Sequence, residues 1–227
     1  MKFTYYGHAC FAVETAGQHL LFDPFITGNE LAKHIRLDDI KADYILVSHA
    51  HIDHILDTVA LAQRTGAKVI SNWEIVQWLG KQGLGNLHAM NLGGSFKFPF
   101  GRVKYTPAIH SSGLPDGSYG GNPGGFVVEN AEGAFFYSGD TALSHDFDFI
   151  AAEFKLRFAV LPIGDNFTIG PADAARLANM VKVTEVVGVH YDTFPPIKID
   201  HAAAKATFAR AGLHLHLLAI GETIALP

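Results

Sequence analysis

Apolar and polar positions alternate in short segments from the first residues onward. Lys2 to Tyr6, Cys10 to Thr15 and His19 to Phe22 read as strands, separated by Gly7 and by the turn-forming Ala16-Gly17, and they predict an antiparallel meander. Tyr44-Ile45-Leu46-Val47 is instead continuously apolar between polar flanks, the pattern of a strand covered on both faces. A helical stretch carrying Ile55, Leu56, Val59, Leu61 and Ala62 follows and ends at Gly66. A strand over Lys68 to Ser71, a helix over Trp73 to Leu79, and strands over Ser95 to Phe98 and Arg102 to Thr106 are expected to complete a first half.

The second half repeats the scheme. Strands are expected at Phe126 to Glu129, Ala134 to Tyr137, Phe158 to Leu161, Val186 to Val189, Leu213 to Leu218 and Thr223 to Leu226. Pro171 suits the first position of a helix running to Met180, and Asp200 suits the cap of an alanine-rich helix over His201 to Ala211. The glycine-rich segment Ser111 to Gly125 reads as a long ordered loop joining the halves, with a flap over a site among its roles. Strands with helices between them, in two similar halves, predict one unit over residues 1–227, divided at about residues 1–112 and 113–227. The fold class is α/β (α+β), a four-layer αββα sandwich with sheet packed on sheet and helices outside.

Composition changes this picture little. The 227 residues, 48% of them hydrophobic, suit one large shared core. A net charge of −5 without blocks of like charge lacks the footprint of a nucleic-acid binder, so no nucleic-acid partner is expected. The single cysteine, Cys10, cannot close an intrachain disulfide and is expected as a small buried hydrophobe. Residues Met1 to His8 carry no signal-peptide pattern, and no run of eighteen apolar residues occurs, so neither secretion nor a membrane span is expected and a cytoplasmic location is. Composition does not separate an apolar surface from an apolar core, which leaves a homo-oligomer open.

Thirteen histidines stand out, and their arrangement carries the chemistry. His49-x-His51-x-Asp53-His54 puts four potential ligands into six residues on a loop fed by a buried strand. Alternate residues of an extended segment point the same way, so His49 and His51 can converge on one metal while the following turn aims Asp53 and His54 at a second. Four groups cannot fill two metal shells. His110, Asp140 and His190, each just beyond a predicted strand, are the candidates to complete them, and the Asp140 carboxylate has two oxygens with which to bridge.

These residues resemble the binding signature of the metallo-β-lactamase superfamily. The resemblance covers nearly the whole chain and implies that His49, His51 and His110 hold one metal, Asp53, His54 and His190 the other, with Asp140 between them. Gly7-His8-Ala9-Cys10-Phe11 and Phe22-Asp23-Pro24 further resemble a compact subgroup of metal-dependent hydrolases related to ascorbate-6-phosphate lactonase. His54, in the place where secreted β-lactamases commonly carry another second-site residue, argues against antibiotic hydrolysis as the native role.

The expected cofactor is two divalent cations, zinc by default with manganese as the alternative. The expected activity is hydrolysis of a small ester, lactone or related acyl substrate by water activated between the ions. A phosphodiesterase acting on small phosphodiesters and a non-catalytic metal-binding protein are the alternatives. Asp53 and His8 are the expected catalytic side chains, with His8 either donating a proton to the leaving group, supporting a ligand from behind, or serving packing and backbone bonding. Asp23 is expected to orient a ligand histidine or to make an Asx turn, and Asp165 and Tyr191 sit at strand ends from which they could touch substrate. Trp73 and Trp78 are expected to pack a helix on its sheet. His19, His34, His88, His145, His201, His214 and His216 lack strand-end context or partner spacing and are expected at the surface or in structural roles.

Overall fold

The computed structural model of the protein describes residues 1–227. β1 (Lys2–Gly7), β2 (Cys10–Thr15) and β3 (Gln18–Phe22) form the expected antiparallel meander. Three parallel strands then extend it: β4 (Tyr44–Leu46), β5 (Lys68–Asn72) and β6 (Leu87–Met90). The crossovers carry α1 (Ile52–Ile55), α2 (Thr58–Thr65) and α3 (Trp73–Lys81). β6 was not expected, because Leu87-His88-Ala89-Met90 is short and mostly half-buried; its pairing with β5 makes it a strand.

One expected helix is two. The chain turns at Leu56-Asp57 because the Asp57 carboxylate, buried, accepts from the backbone amides of Ile26 and Thr27 at 2.6 and 2.9 Å and from the Thr27 hydroxyl. Asp57 N–H in turn donates to the Pro24 carbonyl at 3.0 Å. This tie, across some thirty residues of sequence, fixes the loop after β3 against the histidine-rich loop after β4.

The second sheet starts earlier than expected. β7 (Ser95–Phe98), β8 (Gly101–Pro107), β9 (Gly124–Asn130) and β10 (Gly133–Tyr137) pair antiparallel, so the strands assigned to the end of the first half belong to the second sheet. β11 (Leu156–Pro162), β12 (Glu185–Val189) and β13 (His214–His216) follow in parallel, with α4 (Asp148–Glu153), α5 (Pro171–Met180) and α6 (His201–Arg210) in the crossovers. β14 (Thr223–Ala225) returns to the first sheet beside β1. The orders are therefore β14-β1-β2-β3-β4-β5-β6 and β13-β12-β11-β10-β9-β8-β7, each with four antiparallel strands followed by three parallel additions.

Between the sheets, alternate side chains interdigitate: Phe3, Phe11 and Phe22 from one, Phe126, Phe135, Tyr137 and Phe158 from the other. Phe11 stacks on Phe22 at 4.6 Å and meets Tyr137 edge-on at 5.0 Å across the gap. The opposite faces are covered by helices: Leu61, Ile75 and Leu79 lie over Leu21, Ile45 and Val69, while Leu177 and Phe208 lie over Phe136 and Leu161. Burying each large apolar side chain is worth about 1.5–3 kcal/mol. This is the αββα sandwich the pattern predicted. Cys10 is fully buried, and burial pushes its thiol pKa up. Trp73 departs from expectation, standing exposed at the start of α3, and the Trp78 indole donates to Asp116 at 2.8 Å.

Candidate metal centre

The carboxyl ends of the parallel strands share one edge of the sandwich, and the loops leaving that edge carry the histidines. After β4, Ser48 to His54 run extended and then turn into α1. After β8, β10 and β12 come His110, Asp140 and His190. His8 follows β1, and Asp23 follows β3.

The backbone is held in uncommon conformations at these points. His8, Asp23 and His190 have φ of +54°, +42° and +57°, the left-handed region that costs about 1–3 kcal/mol where surroundings impose it. Gly7 precedes His8 at φ +102°. Gly139, before Asp140, has φ +62°, and a side chain there would lie 2.4 Å from the Gly124 carbonyl. His190 is fixed by its N–H donating to the His8 carbonyl at 2.7 Å, which ties the turn of one sheet to the turn of the other.

Two groups of ligand atoms result, each gathered within 4.8 Å: His49, His51 and His110 in one, Asp53, His54 and His190 with His8 in the other. Asp140 Oδ2 lies between them, 3.9 Å from His49 Nε2, 3.6 Å from His110 Nε2, 3.2 Å from His54 Nε2 and 3.0 Å from His190 Nε2. Asp53 Oδ2 is 3.7 Å from His190 Nε2 and 3.9 Å from His54 Nε2. All seven ligand positions named from the sequence therefore converge, and His8 joins them.

A second set of side chains decides which ring nitrogens face the cluster. Asp23, fully buried, accepts at Oδ2 from His54 Nδ1 at 2.8 Å, from the Tyr137 hydroxyl at 2.6 Å and from the Ser48 hydroxyl, and at Oδ1 from Ser48 N–H at 2.7 Å. His54 therefore carries a proton on Nδ1, and its Nε2 is left buried without any hydrogen-bond partner. Because Ser48 gives its proton to Asp23, its oxygen accepts from His49 Nδ1 at 3.0 Å, which puts the His49 proton on Nδ1 and turns Nε2 toward the cluster. Asp23 thus orients one histidine directly and another through Ser48. His51 presents Nδ1 to the cluster, 3.1 Å from His49 Nε2, with its Nε2 3.2 Å from the Ser111 hydroxyl. Sequence reasoning reached Asp23 but missed Ser48, Asp57, Ser111 and Tyr137. The only signal for Ser48 was its place beside His49; for the others there was none.

The charges cannot balance without a bound proton or cation. Burial opposes the charged form of Asp140, yet His190 and His54 outweigh it and hold its carboxyl well below the usual carboxylate range. Burial likewise opposes protonation of His190, but Asp140 raises its pKa to about 9. Burial and the neighbouring His54 push His49 well below the ordinary histidine value. Imidazole nitrogens and carboxylate oxygens pointing into one volume, with the buried His54 Nε2 orphaned, are the donor set of divalent-metal sites with mixed nitrogen and oxygen ligands.

The remaining candidates separate. His8 is buried, with Nε2 3.0 Å from Asp53 Oδ2 and Nδ1 2.9 Å from the Thr193 hydroxyl, and burial together with His190 pushes its pKa down to about 3. Asp165 is exposed at the far end of its turn and outside both ligand groups. Tyr191 turns into the core, stacked on Tyr5 at 6.3 Å, with its hydroxyl 3.5 Å from the Leu218 carbonyl. The loop over residues 108–123 connects β8 to β9 rather than joining the halves, and it is tied down: Ser112 accepts from Ala50 N–H at 3.1 Å, and the Asn72 amide donates to the Gly120 carbonyl at 2.7 Å. It forms a braced wall beside His51.

Sandwich and cluster together define a metal-binding hydrolase scaffold of the β-lactamase type, and comparison with known proteins agrees. Residues 18–191 match the family model described as the β-lactamase superfamily domain. A UPF0173 metal-dependent hydrolase of Flavobacterium johnsoniae is 50% identical over 226 residues, covering 100% of both chains, and YtkL of Bacillus subtilis, of the same description, is 43% identical with the same coverage. Among solved structures, the metallo hydrolase Igni18 of Ignicoccus hospitalis superposes with a TM-score of 0.88 at 34% identity, covering 98% of this chain and 97% of that one. The chain belongs to the metallo-β-lactamase superfamily, within its UPF0173 family of metal-dependent hydrolases. No helix is long and apolar enough to cross a membrane.

Proposed function

We propose that the protein is a binuclear zinc hydrolase of a small, uncharged ester, lactone or related acyl compound, working in the cytoplasm. The observation that carries the choice of substrate is the composition of the loops around the cluster. Across residues 7–9, 23–29, 47–57, 108–123, 138–147, 163–170 and 190–200 the only lysine or arginine is Lys198. That residue lies away from the ligands, in a depression shared with Asp165 and Asp200. Ile52 and Ile109, each adjacent in sequence to a ligand histidine, are instead 48% and 51% exposed, and Leu56 and Phe167 are exposed as well. Ile169 N–H donates to the Thr141 carbonyl, and Ile109 N–H to the Thr141 hydroxyl, both at 3.0 Å, so the loop that carries Phe167 and the loop that carries Ile109 meet at Thr141. Phosphate recognition draws on arginine and lysine clamps, and none is offered here. An apolar rim favours an acyl chain or a lactone ring.

Two divalent cations, if held by the two ligand groups, would supply Lewis acidity and make water a stronger acid near neutral pH. Asp140 is read as the bridge because its Oδ2 lies within 3.9 Å of histidines in both groups. Asp53, whose side chain is 21% exposed, is the ligand carboxylate that reaches the mouth and can orient a water or hold its proton. His8 fixes the rotamer of Asp53 through Nε2 and is itself held by Thr193. With both ring nitrogens engaged and the ring buried, His8 is a positioning residue, not the donor to a leaving group.

The test is elemental analysis of gently purified protein, followed by turnover assays with the recovered metal on lactones, aryl esters and bis-aryl phosphates. Two zinc ions per chain and cleavage of lactones or esters are expected. Cleavage confined to phosphates would overturn the substrate class, and absence of turnover on all three with both ions bound would overturn the hydrolase.

A further inference from the structure

At the opposite edge of the second sheet, far from the cluster just described, three potential ligands meet that the sequence did not connect. His214 and His216 are alternate residues of β13, so their side chains share one face. β12 runs parallel to it with Glu185 paired to His214, and Glu185 Oε2 lies 3.0 Å from His214 Nδ1 and 2.7 Å from His216 Nε2. The two imidazole rings are 4.2 Å apart between centroids, and all three donor atoms fall within 4.8 Å of one another. We infer that Glu185, His214 and His216 form a separate zinc-type cation site that clips the edge strand β13 to β12.

Several features support a site over an incidental contact. The carboxylate faces two imidazoles and makes no ion pair with lysine or arginine, although Lys155 and Arg157 line the same surface depression. Two nitrogens and one oxygen, with side-chain exposures of 65% for His214, 28% for Glu185 and 18% for His216, leave the outward positions to water; three protein ligands plus solvent is a familiar zinc arrangement. β12 places Glu185 five residues from His190, roughly 16 Å along the strand, so the two sites do not share ligands.

The site also has something to hold. β13 has only three residues and is the outermost strand of its sheet, with an unpaired edge. Through residues 217–222 it leads to β14, which closes the first sheet on β1. A cation bridging β12 and β13 therefore braces the last segment of the chain, a structural role distinct from hydrolysis.

The experiment compares the full chain with H214A/H216A and, in case the double variant misfolds, with the near-isosteric E185Q. Each protein is stripped, titrated with Zn²⁺ by calorimetry, and followed by hydrogen exchange at the amides of β13. The wild type should bind one more equivalent of Zn²⁺ than either variant, Zn²⁺ should slow exchange in β13 only in the wild type, and hydrolytic turnover should be the same in all three. Equal stoichiometry in wild type and variants, or β13 exchange indifferent to Zn²⁺, would overturn the site. Because the readout is a difference between proteins that all retain the principal cluster, it stands whether or not that cluster proves catalytic.

Discussion

The two sheets share one order of strand directions but load the metal edge differently. The first concentrates four candidate ligands in the single loop after β4, and backs them with Asp23, Ser48 and Asp57. The second spreads its candidate ligands over three loops, one each after β8, β10 and β12. The loop after β11, which holds the place in the second sheet that β4's loop holds in the first, contributes only exposed Asp165. One sheet thus presents a pre-oriented chelating loop, and the other closes it from across the sandwich with the carboxylate that touches both groups.

That asymmetry can be tested from its strongest element downward. Asp140→Ala should cost most, because one oxygen serves four imidazoles: turnover should fall on the order of 10³-fold, the upper range for a single preorganised electrostatic group, with loss of bound metal by elemental analysis. Unchanged turnover would break the assignment of Asp140 as the bridge. Asp23→Asn should come next. The amide keeps one of the two acceptor oxygens, so its NH2 must face either Ser48 N–H or the His54, Ser48 and Tyr137 donors; metal affinity should fall about 10–100-fold, and the buried unpaired donor should cost about 1–3 kcal/mol in denaturant unfolding.

His8→Ala sharpens the comparison between the two ligand groups. As a positioning residue for Asp53 it should weaken metal retention about tenfold in that group, with the turnover of fully loaded enzyme falling far less. A large fall in turnover at full metal occupancy would make His8 a proton donor instead. The smallest effects belong to the second sheet's idle loop and to the strand-end tyrosine. Asp165→Ala and Tyr191→Phe should leave metal content unchanged and shift stability by no more than about 0.5 kcal/mol, since one side chain is exposed and the other makes a single long hydrogen bond.

The same contrast governs how much could be read in advance. The sandwich was legible because strand periodicity and helix caps are local, and most expected strands appear within a residue or two of their places. β6 and α4 were not, since neither has strong periodicity and each exists through what it packs against. The histidine loop was legible in full, whereas the break at Asp57 depends on amides of Ile26 and Thr27 that no pattern near Asp57 announces. The histidines of β13 were set aside for want of a partner, and that partner, Glu185, lies on the neighbouring strand.

The chain's own order of residues determined the layer architecture, the family and the seven candidate ligands, because side-chain period and short motif spacing are properties of neighbouring residues. Tertiary structure alone decided which histidine nitrogens face the cluster, that His8 hydrogen-bonds Asp53, that Asp165 and Tyr191 stand apart, and that the two histidines of β13 meet Glu185. Those outcomes depend on hydrogen bonds and approaches between residues distant in sequence, and their directions exist only once the two sheets have closed on each other.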